Sequence, residues 1–235
     1  RASRAKHQVI NNLDHYLTEF EKNFQANGGK VIWAKDAKDA LDAIAGIFNE
    51  HGVKSVVKSK SMITEEIELN HALEANNIEV LETDLGEYIV QVDNDKPYHI
   101  ITPVMHKSKD DIAKLFHQKF GTDRDATAEE LTAYVRDLLR KKFVEADAGI
   151  SGVNFIVADT GSIALTENEG NGLMSMGFPR LHIAIAGIEK VIPSYKDFQH
   201  FWPLLATHGT GQNMTVYNSI ISGPASDVEP DGPAG

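Results

Sequence analysis

The sequence predicts an α/β domain built on a parallel sheet, and three observations carry that expectation. Between residues 30 and 81, short apolar runs of strand length alternate with helix-length segments at the spacing of βαβ units. The 235-residue chain is 42% hydrophobic and 24% charged, an ordinary globular balance that excludes collagen, a coiled-coil rod and wholesale disorder. No apolar stretch approaches the ~20 residues that a membrane-spanning helix requires.

The elements follow in order. Residues 3–27 carry apolar side chains at Leu13, Leu17, Phe20 and Phe24, the one-sided stripe of a helix, and Gly28-Gly29 stops it. Lys30–Ala34 reads as a short strand. Asp36 then caps a helix with Leu41, Ile44, Ala45 and Phe48 on one face, closed by His51-Gly52. Val53–Val57 and Ile78–Leu81 read as strands around a helix over 62–76. From Lys107 to Phe120 and from Ala128 to Ala146 two helices form a hairpin. The second turns Leu131, Val135, Leu138 and Leu139 inward, and Thr127 with Glu130 supplies a capping box. This hairpin suits a lid, a dimerisation arm or core packing. Strand-like runs follow at Val153–Ala158, Ser162–Thr166, Leu181–Ala186, Val191-Ile192 and Met214–Ile221, the first two joined by the tight turn Asp159-Thr160-Gly161. The expected organisation is one domain over residues 1–222, with the hairpin at about 107–146, and an acidic Pro/Gly-rich linker over 223–235. The termini read as those of a piece of a longer protein.

Charge and cysteine content bound the chemistry. With 23 basic and 34 acidic side chains the net charge is −11, which opposes nucleic-acid binding in the absence of a concentrated basic patch. The chain contains no cysteine, so disulfides, thiolate nucleophiles, zinc–thiolate sites and iron–sulfur ligation are excluded within these residues. None of the ten histidines falls in the helical pairing beside a carboxylate that a zinc helix shows. His99, His106, His182, His200 and His208 therefore read as core or surface residues, and no metal site is expected.

Four segments concentrate polar chemistry. Lys58-Ser59-Lys60-Ser61 lies between a strand end and a helix start, where open parallel sheets bind ligands and where backbone N–H groups with Lys and Ser side chains suit a carboxylate or phosphate. A plain N-cap with solvated lysines is the alternative. Residues 158–172 run two apolar strands into a cluster containing Thr160, Gly161, Ser162, Glu167, Asn168, Glu169, Gly170 and Asn171, with Arg180 soon after. Glu167 and Glu169 have the chemistry of a base, nucleophile or metal ligand, and Arg180 that of a bidentate carboxylate clamp. A long hairpin loop with a structural Arg–Glu pair competes with that reading. Thr207–Asn213 holds Thr210, Gly211 and Gln212 in a Gly-x-Gly context that lacks the full dinucleotide pattern and reads as a polar loop. In Asp84–Gln91, Glu87 and Gln91 share a face if the segment is helical.

Several ordered blocks together resemble the LUD domain of the B-type lactate-utilization proteins: Lys58-Ser-Lys-Ser-Met-Ile-Thr-Glu-Glu-Ile67, Leu81-Glu-Thr-Asp-Leu-Gly-Glu-Tyr-Ile-Val-Gln91, Glu145-Ala-Asp-Ala-Gly-Ile-Ser-Gly-Val-Asn154, Asp159-Thr-Gly-Ser162, Thr166-Glu-Asn-Glu-Gly-Asn171, Gly187-Ile-Glu-Lys-Val-Ile-Pro193 and Ser222-Gly-Pro224. The resemblance runs nearly end to end. It implies a three-layer α/β/α sandwich of the sugar-phosphate isomerase and CoA-transferase type. It also implies a part, with A-type and C-type partner proteins, in oxidising L-lactate to pyruvate in the bacterial cytoplasm. Iron–sulfur clusters belong, on this resemblance, to a C-terminal segment beyond the present residues, so no cofactor is expected in them.

Three roles are then open. Lys58, Ser59, Lys60 and Ser61 with Arg180 would receive a small carboxylate, closed in by the 167–171 loop beside Thr160 and Ser162. Thr166-Glu167-Asn168 resembles the Ser-Glu-Asn-Gly turn that carries the nucleophilic glutamate of CoA transferases, which implies acyl chemistry at Glu167. Finally, the domain would have no turnover and would dock an iron–sulfur segment and partner subunits through the helical hairpin.

Overall fold

A computed structural model describes residues 1–98 and 102–224. His99 and residues 225–235 of the acidic tail lie outside the described residues. Along the chain come α1 (Ala2–Ile10), α2 (Leu13–Ala26), α3 (Ala37–His51), β1 (Ser55–Lys58), α4 (Met62–Glu66), α5 (Leu69–Ala75), β2 (Glu79–Glu82), α6 (Leu85–Asp93), α7 (Lys109–Phe120), α8 (Ala128–Glu145), β3 (Ala148–Gly152), β4 (Phe155–Val157), β5 (Ser162–Glu167), α9 (Asn171–Gly177), β6 (Leu181–Ile185), β7 (Val191–Ile192), α10 (Phe198–Thr210) and β8 (Tyr217–Ile221).

The strands form two sheets. The first, in order β2-β1-β3-β6, is parallel throughout, with Lys58 opposite both Glu82 and Ile150. On one face Val56, Val80, Ala148 and Ile150 meet Ile44, Phe48, Leu69 and Leu73 of α3 and α5. On the other, Val57 meets Tyr88 and Ile89 of α6, Phe116 of α7 and Leu131, Val135, Leu139 and Phe143 of α8. Helices on both faces make the three-layer α/β fold that the resemblance implied, and alternation along β1 assigns each residue to its layer. The second sheet, β7-β4-β5-β8, pairs β4 parallel to β7 and antiparallel to β5. Tyr16 and Phe20 of α2 cover one face, and Ala5 of α1 with Phe198 and Phe201 of α10 cover the other. The two sheets are joined where β3 runs through Val153-Asn154 into β4. No helix among the described residues is long and apolar enough to cross a membrane.

The hairpin is core packing on its inner side: Phe116 and Val135 are fully enclosed in the cluster that includes Val57. Thr127 and Glu130 make the expected capping box, and Ser108 with Asp111 makes a second at the start of α7.

Several expected elements differ. The first helix breaks at Asn11-Asn12, and the helix expected over 62–76 divides where Glu68 takes φ +53°. Lys30–Ala34 joins neither sheet. Val31 packs inward while Ile32 and Trp33 are both exposed, so the segment has neither a ladder partner nor the alternating burial of a strand. The run expected at Val153–Ala158 is the end of a longer path in which β3 comes first. The strand expected at Met214 starts at Tyr217, leaving Met214 and Val216 exposed. The polar loop expected over 207–213 is instead the last turn of α10 through Thr210, followed by Gly211 at φ +72° as its left-handed stop.

Candidate functional site

β1, β2 and β3 run parallel, so Lys58, Glu82 and Gly152 end at one edge of the sheet, the edge at which open α/β sheets bind ligands. Lys58 is wholly buried there. Its Nζ lies 2.9 Å from Glu82 Oε1, 3.2 Å from Glu65 Oε1 and 3.0 Å from Thr64 Oγ1. Burial works to lower its pKa, but the Glu82 and Glu65 carboxylates outweigh burial and hold the ammonium above its ordinary value. Asn70 donates to Glu82 Oε1 at 2.6 Å, while Glu82 Oε2 has no hydrogen-bond partner among the described residues.

The next two residues turn toward the other layer. The Ser59 N–H donates to Ile150 O, extending the ladder, so Ser59 shares the face of Val57, on which α6 lies. Its hydroxyl is buried and has no hydrogen-bond partner among the described residues. Lys60 Nζ pairs with Asp84 at 2.7 Å, and Asp84 Oδ1 caps α6 by accepting the Glu87 N–H. Thr83 donates to Lys58 O from both its amide and its hydroxyl, which seats the start of α6 against the 58–61 loop. Ser61 abuts Gly152, where an added Cβ would come within 2.7 Å of its Oγ. Glu87 is enclosed in the first turn of α6; burial, then Glu82 and Glu65, push its carboxyl up to about 7.

The 167–171 turn reaches the same edge. Glu167 accepts the Gly172 and Leu173 N–H groups at 2.7 and 2.8 Å, so both its oxygens cap α9, and burial pushes its pKa up. Asn171 Nδ2 lies 3.5 Å from the Glu169 carboxylate, whose pKa is raised, by burial first and then by Asp84. Asn168 exchanges hydrogen bonds with Gln212 at 3.0 and 3.1 Å, and Thr210 donates to the same Gln212 side chain. Gly170, at φ +80°, starts α9 beneath Tyr217, and Asn171 is buried behind it.

The remaining candidates lie elsewhere. Arg180 is exposed just before β6, whose first residue pairs with the first residue of β3, so it belongs to the opposite edge of the sheet. Thr160 and Gly161 form the β4–β5 turn against α2, where Asn27 donates to the Thr160 carbonyl, and Ser162 bonds Ser222. Gln91 is not free: its side chain pairs with the backbone of Val80 and Glu82 along the edge of β2.

A family model described as LUD domain matches residues 17–231. The chain belongs to the LUD domain family. This LUD domain is 42% identical over 233 residues to "Lactate utilization protein B" of Bacillus licheniformis, covering 99% of the chain and 49% of that relative. It is 43% identical over 229 residues to the protein of the same name from Bacillus subtilis, covering 97% and 48%. The chain thus spans about half the length of the curated relatives it matches. No solved structure matches it significantly. An iron–sulfur cluster does not fit these residues: there is no cysteine, and among the described residues no cluster of His, Asp and Glu could hold a metal ion.

The LUD domain's edge also contains groups that the sequence reading passed over. Glu82, Thr83, Ser151 and Ser175 are buried there, and Ser151 Oγ lies 2.9 Å from His182 Nε2, whose pKa burial lowers to about 4. Glu82 and Ser151 carried a faint signal, being polar residues at the ends of short apolar runs.

Proposed function

We propose that this LUD domain serves a lactate-utilization system and receives a small carboxylate, L-lactate or pyruvate, at the carboxyl edge of its parallel sheet. The observation that carries this reading is the buried Ser59 hydroxyl, without a hydrogen-bond partner among the described residues, next in sequence to Lys58 and Lys60 at the carboxyl edge of the sheet. A buried hydroxyl without a partner costs about 1–3 kcal/mol, and a ligand carboxylate or hydroxyl would remove that cost. The name shared by the relatives supplies the pathway. Oxidation of lactate to pyruvate releases two electrons and two protons. With no thiol in these residues, the electrons would pass to iron–sulfur centres and A-type and C-type proteins outside them. Titration of the isotope-labelled chain with L-lactate and with pyruvate tests the binding. Saturable shifts at Ser59, Lys60 and Leu85, weakened by Ser59→Ala, are expected; absence of any saturable shift overturns the reading.

A further inference from the structure

β6 is an outer strand of the parallel sheet and pairs with β3 alone. Among the described residues no hydrogen bond reaches its backbone from the other side, so every second residue presents an open N–H and C=O there. The other outer strands are protected. At β2 the Gln91 side chain donates to the Val80 carbonyl at 2.7 Å and accepts the Glu82 N–H at 3.0 Å. β7 is two residues long, and its Val191 carbonyl accepts from the Lys6 ammonium at 2.9 Å. β8 carries the polar pair Asn218-Ser219 in its middle. Natural proteins guard an outer strand with charge or proline. β6 has neither: Leu181-His-Ile-Ala-Ile-Ala-Gly-Ile188 is an uncharged run, and every residue of the strand is partly exposed. Large apolar side chains extend this edge. Phe178 precedes the strand and Ile188 follows it, each about half exposed. Ile32 and Trp33, equally exposed, follow Val31, which shares a packed cluster with Ala184 and Ala186.

We propose that β6 is the interface between two copies of this chain, paired antiparallel with each other about a two-fold axis at Ala184, so that the parallel sheets join into one of eight strands. Charge selects this occupant. At −11 two copies repel each other at long range, and the uncharged run from Leu181 to Ile188 lets them meet without opposing like charges. Opposite charges bound that run. Arg180 is exposed and has no ion pair among the described residues, and the Glu189 carboxylate meets only its neighbour Lys190, at 3.6 Å. An antiparallel two-fold at Ala184 sets Arg180 of each copy beside Glu189 of the other, twice, as an isologous contact requires. It also sends the two carboxyl edges to opposite ends of the joined sheet, so each Lys58–Ser61 segment stays clear of the contact.

Sedimentation velocity across a concentration series tests the pairing, together with two kinds of variant. The unaltered chain is expected to dimerise. Arg180→Glu sets like charges together at both ends and should weaken the dimer about tenfold, and Arg180→Glu with Glu189→Arg should restore it. All of these changes lie on exposed side chains, so the fold is retained. The chain has no cysteine of its own, so Ala184→Cys provides a register test. Residues opposed across an antiparallel pair have Cα atoms about 4.5–5.5 Å apart, within disulfide reach. Mild oxidation should link Ala184→Cys into a covalent dimer and leave Ala133→Cys, on the exposed side of α8, unlinked. A chain that stays monomeric at about 0.1 mM overturns the proposal, as does a dimer indifferent to both Arg180→Glu and Ala184→Cys. Slow hydrogen exchange of the β6 amides in a monomer overturns it too, because the Lys30–Ala34 segment or another part of the same chain would then cover the edge.

Discussion

At the scale of single residues, the buried Lys58–Glu82 pair is where one atom matters most. Removing one partner of a buried ion pair strands the other, at a cost of about 3–5 kcal/mol, whereas an apolar pair of similar volume is close to neutral. Lys58→Met is therefore expected to lower unfolding free energy in urea by about that amount, and Lys58→Met with Glu82→Leu to regain most of it. Glu87 sets a pH dependence. Its folded pKa of about 7 lies above the ordinary carboxyl value of 4.5, so its contribution to stability is fully present below 4.5 and is lost as pH rises through 7. Glu87→Gln should leave stability unchanged at about pH 4 and raise it by about 1 kcal/mol at about pH 8, allowing for solvent screening. Thermal melts of both forms across that range check the sign; a gain at the acid end instead would contradict it.

Among the elements, α9 depends on what β3 lacks. A Cβ at Gly149 would lie 1.7 Å from the Ser175 carbonyl oxygen, so Gly149→Ala must push α9 off the sheet. Overpacking of this kind costs about 3 kcal/mol, measurable by denaturant titration. That dependence also explains why β3 was illegible. Ala148-Gly-Ile-Ser-Gly152 has weak strand propensity, and its glycine answers to a helix that follows 22 residues later in sequence. α9 itself, Asn171-Gly-Leu-Met-Ser-Met-Gly177, and α10, with Pro203 inside it, have poor helix sequences that packing overrides. Lys30–Ala34 errs the other way: a short apolar run is a local feature, whereas the strand partner that it lacks is not. The α7–α8 hairpin was legible because stripe and caps agree; Thr127→Ala should cost about 1 kcal/mol of stability. At the site, Lys58–Ser61 was legible as a strand running into a helix. The two ends of a parallel sheet look alike in sequence, so Arg180 could be grouped with it, and Thr160–Ser162 gave no sign of belonging to a second sheet until topology separated both.

For the molecule as a whole, the two sheets divide the helices between them. The hairpin shares its core with Val57, Tyr88 and Ile89, so Phe116→Ala should cost about 3–5 kcal/mol. Deleting residues 107–146 should abolish cooperative unfolding, as circular dichroism would record; a cooperatively folded deletion would show the hairpin to be a detachable arm. The N-terminal helices belong to the other sheet: Val9, Tyr16 and Phe20 pack on Val153, Ile156, Ile163 and Val191, and Lys6 donates to the carbonyls of Glu189 and Val191. Their partners are thus encoded more than a hundred residues downstream. On the ribosome, which releases the chain from its N-terminus, α1 and α2 emerge well ahead of the strands that cover them. The parallel sheet's early strands can gather while Tyr16 and Phe20 remain bare, and until β4, β5 and β7 emerge the nascent chain carries an apolar face that a chaperone can hold.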